Sequence, residues 1–528
     1  MSAEQTPEEI AALLQDFLLA HPKAVVLEDG RIAFDLQAAQ YSIQQQPGRC
    51  TLQLWSETRN LSRRVVAVTQ RRDTLKLSTL RLGQTKPQTL EIVAQPERRT
   101  PTSREGTRQR FLPVLQRMLQ REFPDWIVDP LQSAMDLERS FGPAYARGAL
   151  HRGQQAWAVV GVNAEESQAT IDGILTIGIL WLQLCRERAG GKRLFQGLLL
   201  FVPSRTATVT LTRLGWLRSD AAQWRLFEFS SRTEDIEERD PADIGNLSTH
   251  LIHLPDEAAA RERFASPLAT LLALLPAAAQ PLVEQRLRSS SELALLLYGL
   301  EFARIRMRAA ARSFTSEAEI SIGAGANETL LTPTTEPQLR AFLQELFERR
   351  HPSGSPNDPL FRSAPEAWLE SVLRQNIGPL AAGQGSFAQF DPDHVYPQVP
   401  AFQAGDRGML DLLSVTRDGR LAVLELKANE DLHFALQGLD YWIRVRWHHV
   451  QPADPQTSLG MLQQHGYFGG VRLSPDPPRL FLVAPSLRIH PATEQVLRFF
   501  KREVDWTLLG LHEQWRRTLR VITRQRSA

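Results

Sequence analysis

GMLDLLSVTRDGRLAVLELKA, Gly408 to Ala428, sets two apolar runs on either side of an Asp-Gly turn signal. A β-hairpin is its natural reading. With Arg417, Asp418 and Gly419 as a three-residue loop and Gly419 in the left-handed region, residues whose numbers sum to 836 stand opposite one another, and Asp411 and Glu425 satisfy that sum. Period-2 alternation then puts Leu421, Val423, Glu425 and Lys427 on one face of the second strand. A carboxylate and an ammonium share one face of a mostly apolar strand. Burying them without partners is costly, so they are paired, bind a metal, or sit at the edge of the sheet.

Two carboxylates a strand apart are hard oxygen ligands suited to Mg²⁺, which keeps several waters and binds through one or two carboxylates plus substrate phosphate. Such an ion activates a water and stabilises charge on a scissile phosphate. Lys427, two residues beyond Glu425, reaches the same pocket and can act on the attacking water or on transition-state charge. The composition singles it out. Of 61 basic residues only six are lysine, and between Lys192 and Lys501 Lys427 stands alone, so this position needs an ammonium where arginine serves elsewhere.

Asp411 followed by Glu425-Leu426-Lys427 on a hairpin, with a helix before and after, resembles the PD-(D/E)XK nuclease superfamily. The upstream helix, PEAWLESVLRQNIGPL, carries Glu366 and Glu370 at i and i+4. It is similar to the Glu-containing helix of the NucS-like and Mrr-like branches. The resemblance implies that Glu370 completes the metal site, with Glu366 as the alternative. The downstream helix carries Gln437 and Tyr441, similar to the QxxxY motif of RecB-like nucleases, which implies that this pair lines the site and contacts nucleic acid. The resemblance covers Ala364 to Ser486 and implies a restriction-endonuclease-like α/β core, Mg²⁺ or Mn²⁺ as cofactor and DNA as partner, with a homodimer left open. The bland readings are an ordinary strand salt bridge for Glu425 and Lys427 and a helix surface for Gln437 and Tyr441.

The rest of the 528-residue chain is too long for one core and reads as α/β and multidomain. Residues 1–100 are expected as a β-rich domain, 108–254 as an α/β domain, 255–350 as a mainly helical connector and 364–528 as the nuclease-like domain with a basic C-terminal tail. Ala94 to Thr107 and His351 to Ser363 have linker composition. ARGALHRGQQAWAVVGVNAEE, laid beside the hairpin and its flanks, suggests an internal duplication. Matching Val160 with Leu424 puts Gly161, Asn163 and Arg147 where Glu425, Lys427 and Asp411 stand, which makes the first copy catalytically dead. Two unrelated α/β units that look alike are the alternative.

Hydrophobic residues at 42% and charged residues at 23% fit a soluble globular protein and exclude disorder. Cys50 and Cys185 are too few and too far apart for a zinc site or a disulfide framework. The N-terminus lacks a signal-peptide pattern, and the most apolar window, Ala169 to Cys185, is shorter than the roughly 20 residues of a membrane span, so a cytoplasmic protein without membrane attachment is expected. Net charge is +2, but Arg98, Arg99, Arg104, Arg108 and Arg110 cluster, as do Arg516, Arg517, Arg520, Arg524 and Arg526. Such clusters pair with phosphates or form solvated faces. ISIGAGANE lacks a phosphate-loop context, His448, His449 and His465 read as surface residues, and no Ser-His-Asp elbow is present. A metal-dependent DNA nuclease is the expected function; a non-catalytic nucleic-acid-binding or assembly protein is the alternative.

Overall fold

The computed structural model describes residues 5–527 apart from 23, 29–30, 37–38, 47–48, 56–59, 72–73, 81–87, 95–99, 137–138, 231, 243–248, 310–315, 324–327, 383–387 and 404–408. The protein is mixed α/β, with four sheets and two compact units. One unit combines Met1–Thr102 with Pro255–Ala367, and the other combines Ser103–Leu254 with Trp368–Ala528. The stretches 108–254 and 364–528, expected as separate domains, therefore fold together.

In the first unit, Thr6 caps the helix Pro7–Ala20 through a reciprocal capping box with Glu9. Ile10, Leu14 and Phe17 turn inward onto a seven-stranded antiparallel sheet whose strands alternate, as Cys50, Leu52 and Leu54 do in Arg49–Trp55. The stretch 255–350 is not a helical connector. Between the helices Glu257–Leu272 and Glu336–Arg349 it forms a five-stranded antiparallel sheet, Val283–Ser289, Glu292–Leu297, Leu300–Ala309, Ser316–Ile322 and Thr329–Leu330. Its abundance of Ala, Leu and Arg suggests helix, but the governing period is two. In Leu300–Ala309, Ala303 and Ile305 are buried, while Arg304 and Arg306 on the other face pair with Glu292, Glu301 and Glu328. The Tyr298-Gly299 turn, both residues at positive φ, closes the hairpin before it.

The second unit holds α1 (Thr100–Glu122), β1 (Ile127–Val128), β2 (Tyr145–Arg152), β3 (Gln155–Val162), α2 (Ile174–Ala189), β4 (Leu194–Pro203), α3 (Thr208–Leu214), β5 (Gln223–Phe229), β6 (Ile236–Arg239) and β7 (Thr249–Leu251). After the first unit's second segment come α4 (Pro365–Gln375), β8 (Phe390–Gln403), β9 (Met409–Thr416), β10 (Leu421–Leu426), α5 (Phe434–His449), β11 (Arg479–Pro485), α6 (Pro491–Leu497), β12 (Asp505–Leu511) and β13 (Val521–Arg526). One sheet runs β6-β5-β4-β3-β2-β1, the other β7-β8-β9-β10-β11-β12-β13. Three readings of the sequence change here. TATVTLTRL is largely the helix α3, because β4 and β5 are parallel and need a crossover, which overrides the β-branched residues. The linker after Ala94 is helical from Thr100, and the basic tail ends as the edge strand β13. Arg98 and Arg99 lie outside the described residues.

The two halves of this unit repeat one topology. β2/β3 and β9/β10 are antiparallel, β3/β4 and β10/β11 parallel, β4/β5 and β11/β12 parallel, β5/β6 and β12/β13 antiparallel. The helices pack reciprocally, α2 on α6 and α5 on α3. Between the halves, Arg218 N donates to Phe499 O (2.8 Å), Lys501 N donates to Trp216 O (2.9 Å), and Leu217 bridges Phe500. Gly178 and Gly438 are the fifth residues of α2 and α5. A Cβ on Gly178 would lie 2.6 Å from Leu198 Cδ2, and one on Gly438 2.5 Å from Leu482 Cδ2, so each glycine lets its helix seat against the sheet. The inner faces of both sheets and the helices share one core, and α1 covers the outer face of the first sheet. Gln168–Ala189 is, among the described residues, the one helical stretch long and apolar enough to cross a membrane; its window is 72% buried in this core.

Candidate active site

The hairpin forms in the register its loop dictates. Thr416 N donates to Arg420 O (2.9 Å), Gly419 N to Thr416 O (2.8 Å), and Gly419 sits at φ +80°. Leu412 pairs with Leu424 and Leu413 with Val423, so the pairing continues to Asp411 opposite Glu425. Leu413, Val415, Leu421 and Val423 of the same face enter the core under α5, which carries Glu425 into a region closed to water, while Asp411 at the strand end is half-buried.

There the side chains converge. Asp411 Oδ2 accepts a hydrogen bond from Leu426 N at 2.8 Å, which aims its carboxylate across the strand end. Glu425 is 2% exposed; Lys427 Nζ lies 3.3 Å from its Oε1, and its Oε2 has no hydrogen-bond partner among the described residues. Lys427 Nζ also lies 3.5 Å from Asp431 Oδ2, and Asp431 Oδ1 accepts from His433 N (2.7 Å) at the start of α5. Asp431 and its role escaped the sequence reading. Its signal is an Asp three residues before the first residue of α5, which reads equally well as an ordinary turn before a helix.

The charges strain against their burial. Desolvation drives the Glu425 carboxyl well above the usual carboxylate range, the Asp411 carboxylate pushes it further, and Lys427 opposes them. Burial alone would lower the Lys427 ammonium, but Glu425, Asp431 and Asp411 outweigh it and raise its pKa. Lys427 therefore stays protonated at neutral pH. Three acidic groups, Asp411, Glu425 and Asp431, around the half-buried Lys427 leave the cluster short of positive charge, and the Glu425 oxygen without a hydrogen-bond partner among the described residues marks where more would be welcome.

Helix α5 roofs the cluster. The Cβ that Gly438 lacks would come 3.6 Å from Glu425 Cβ. Burial first, then Glu425 and Asp411, raise the Tyr441 phenol, so its oxygen lies within the field of both carboxylates; Arg444 stands over its ring at 5.7 Å. Gln437 Oε1 is buried with no hydrogen-bond partner among the described residues. Glu370 is placed differently. It is buried on α4, and its Oε2 accepts from Gln398 Nε2 (3.1 Å), a residue that lies across from Asp411 between the pairs Pro397–Leu412 and Val399–Leu410. Gln398 has φ +48°, a strained conformation for a residue with a side chain. Glu366, in the first turn of that helix, is half-buried. Among the described residues no group of three or more His, Cys, Asp and Glu side chains is arranged to hold a metal. The structure thus brings together Asp411, Glu425 and Lys427, with Tyr441 in the field of both carboxylates, and does not gather Glu370 or Glu366 with them into a three-carboxylate group.

The corresponding place in the first half is stripped of acid. Val160 pairs with Arg147 and with Leu200, as Glu425 stands opposite Asp411 and pairs with Leu482. Arg147 therefore occupies the place of Asp411, as expected, but Val160, not Gly161, occupies that of Glu425, and Val162, not Asn163, that of Lys427. The match slips by one residue because a strand's facing follows its hydrogen-bonded register, which sequence similarity alone does not fix. By helix position Trp181 answers to Tyr441. The discarded histidines are engaged elsewhere: His448 bonds Thr249 and Met461, and His465 stacks on His253. Cys50 and Cys185 are free and buried. No known family model and no curated protein matches this chain.

Proposed function

We propose that the protein is a metal-dependent phosphodiesterase acting on DNA, with Asp411 and Glu425 holding Mg²⁺ or Mn²⁺. The observation that carries this reading is the buried Glu425 beside the half-buried Asp411, with a Glu425 oxygen that has no hydrogen-bond partner among the described residues and Lys427 Nζ 3.3 Å from the other. Two hard carboxylates fit an ion that takes one or two protein carboxylates and completes its shell with water and phosphate. When bound, the ion would supply a water of lowered pKa and Lewis acidity at phosphate. Asp411, fixed by Leu426 N, orients the acidic pair. Lys427, steadied by Asp431, presents its ammonium to charge developing on the phosphoryl oxygens. Gln437 and Tyr441, on the helix above, face the strand that threads the site, and Glu370 acts through Gln398 on the geometry of β8.

The test is cleavage of single-stranded, duplex and branched DNA, with an RNA strand for comparison, in Mg²⁺, Mn²⁺ or EDTA. Metal-dependent cleavage that disappears in Asp411→Ala and Lys427→Ala supports the proposal; cleavage that survives in both sinks it. A second reading, a non-catalytic nucleic-acid-binding or assembly protein, draws on Arg147 and Val160 standing in the first half where Asp411 and Glu425 stand in the second. It predicts salt-dependent DNA binding indifferent to substitution of Lys427 and no cleavage.

A further inference from the structure

Arg147 is 2% exposed and yet largely unsatisfied. Its Nη2 donates to Ala134 O, but its Nε and Nη1 have no hydrogen-bond partner among the described residues. One N–H on Nε and two on Nη1 are thus buried without acceptors. The guanidinium stands 4.6 Å from the Phe141 ring centre and 5.8 Å from that of Trp181, so aromatic faces hold it, while the Asp136 carboxylate acts on it through space. Burial lowers its pKa to about 10, which still leaves it charged at neutral pH.

Beside it lies a cavity of about 370 Å³, lined by Arg147, Arg188, Phe141, Trp181, Asp136 and Gln132 among others. Asp136 pairs with Arg139 at 3.2 Å and also acts on Arg147, so a single carboxylate of the wall is shared among arginines and Arg188 adds charge it does not balance. The volume falls in the range of small-ligand pockets. A buried cation with open donors, a second arginine at the rim and a cavity in front of both call for an anion with several acceptor oxygens.

We propose that this cavity binds a phosphoryl group. A tetrahedral phosphate offers enough oxygens for the open donors of Arg147 and for Arg188 together, where a carboxylate offers two. The pocket occupies, in the first half, the place that Asp411 and Tyr441 define in the second. It does not depend on the Asp411 site being catalytic. The phosphoryl group comes either from free phosphate or from the end of a nucleic-acid strand, and the two are separable by experiment.

The full-length protein is titrated in EDTA with fluorescent hexathymidylate bearing a 5′-phosphate or a 5′-hydroxyl, and its thermal unfolding is followed with inorganic phosphate and with acetate. The expected result is either tenfold or tighter binding of the 5′-phosphorylated strand, which assigns a strand end, or a midpoint rise with phosphate and no strand preference, which assigns the free anion. In both cases the effect falls at least tenfold in Arg147→Gln and in Arg188→Ala. Arg188 is exposed, so its variant keeps the test valid should the buried Arg147→Gln protein misfold. Absence of any phosphate-dependent effect, persistence in the folded variants, or an equal effect of acetate overturns the proposal. Loss of cleavage in Lys427→Ala leaves this binding unchanged, so the two proposals fail separately.

Discussion

Substituting Glu425 and Lys427 one at a time gives shifts of opposite sign if the acidic pair is built for a cation. The Lys427 Nζ to Glu425 Oε1 distance of 3.3 Å corresponds to about 5 kcal/mol of attraction at an effective dielectric of about 20. Asp411 repels Glu425 on the same scale, so the two charges largely offset, and the desolvation of a group 2% exposed remains as a net penalty. Glu425→Gln removes that penalty and keeps the shape, so the metal-free protein gains about 1–3 kcal/mol. Lys427→Met leaves the buried Glu425 and the half-buried Asp411 without their cation and costs about 3–5 kcal/mol. At roughly 2 °C per kcal/mol for a body of this size, the midpoints move in opposite directions by several degrees.

The pH dependence carries the same sign. Because the folded pKa of Glu425 is raised, its contribution to stability is full below the ordinary value of 4.5 and is lost as pH rises through the folded value. The Glu425→Gln protein has no such loss, so its advantage widens from pH 5 upward. Thermal unfolding in EDTA and hydrogen exchange of peptides from β10 and α5, which isolates this unit from the other, both measure it. If Glu425→Gln destabilises the protein as much as Lys427→Met does, the pair is an ordinary structural ion pair and the metal reading fails.

Mg²⁺ binding at Asp411 and Glu425 is expected to release a proton, because the raised Glu425 carboxyl ionises on binding, seen as a calorimetric heat that varies with buffer ionisation enthalpy and vanishes in Glu425→Gln. Gly438→Ala and Gly178→Ala each force a methyl to within 2.6 Å or less of a leucine carbon and lose about 1–2 kcal/mol after the gain in helix propensity, by urea unfolding. Only Gly438→Ala should lower cleavage, by tenfold or more, because α5 alone roofs the acidic pair. The bidentate Arg213–Asp440 pair, 2.9 and 2.7 Å, joins the halves with Arg213 almost wholly buried. Arg213→Met or Asp440→Ala singly costs about 3–5 kcal/mol, and the double variant costs less than their sum in a double-mutant cycle.

The hairpin was legible because loop length fixes register: Gly419 in the left-handed region admits one pairing, and that pairing forms. The flanking elements of the same half followed from apolar periodicity. β8 did not, because Asp391-Pro392 and the prolines at 397 and 400 read as loop; the irregularity between Phe390 and Val395 takes in Pro392, and Pro397 and Pro400 precede the stretch 401–403 where β7 pairs, so their other side lies on an open edge. The sheet of Val283–Leu330 was hidden by helix-favouring residues whose spacing, not identity, decides the matter. Glu370 was named from a helical pattern, but where a helix points its carboxylate depends on the packing of α4 and on Gln398, neither of which local sequence encodes. Gly178 and Gly438 are readable as equivalents only once both helices are aligned with their sheets.

The crossing of Trp216-Leu217-Arg218 with Phe499-Phe500-Lys501 is what a two-fold axis looks like when both partners are written in one gene. An assembly of identical subunits cannot change one of its sites without changing the other, since a single coding sequence specifies both. Tying the partners into one polypeptide removes that constraint. Each half is free to mutate alone while the shared core keeps its mate folded, so an acidic pair and a buried arginine now stand where equal subunits would carry the same residue twice.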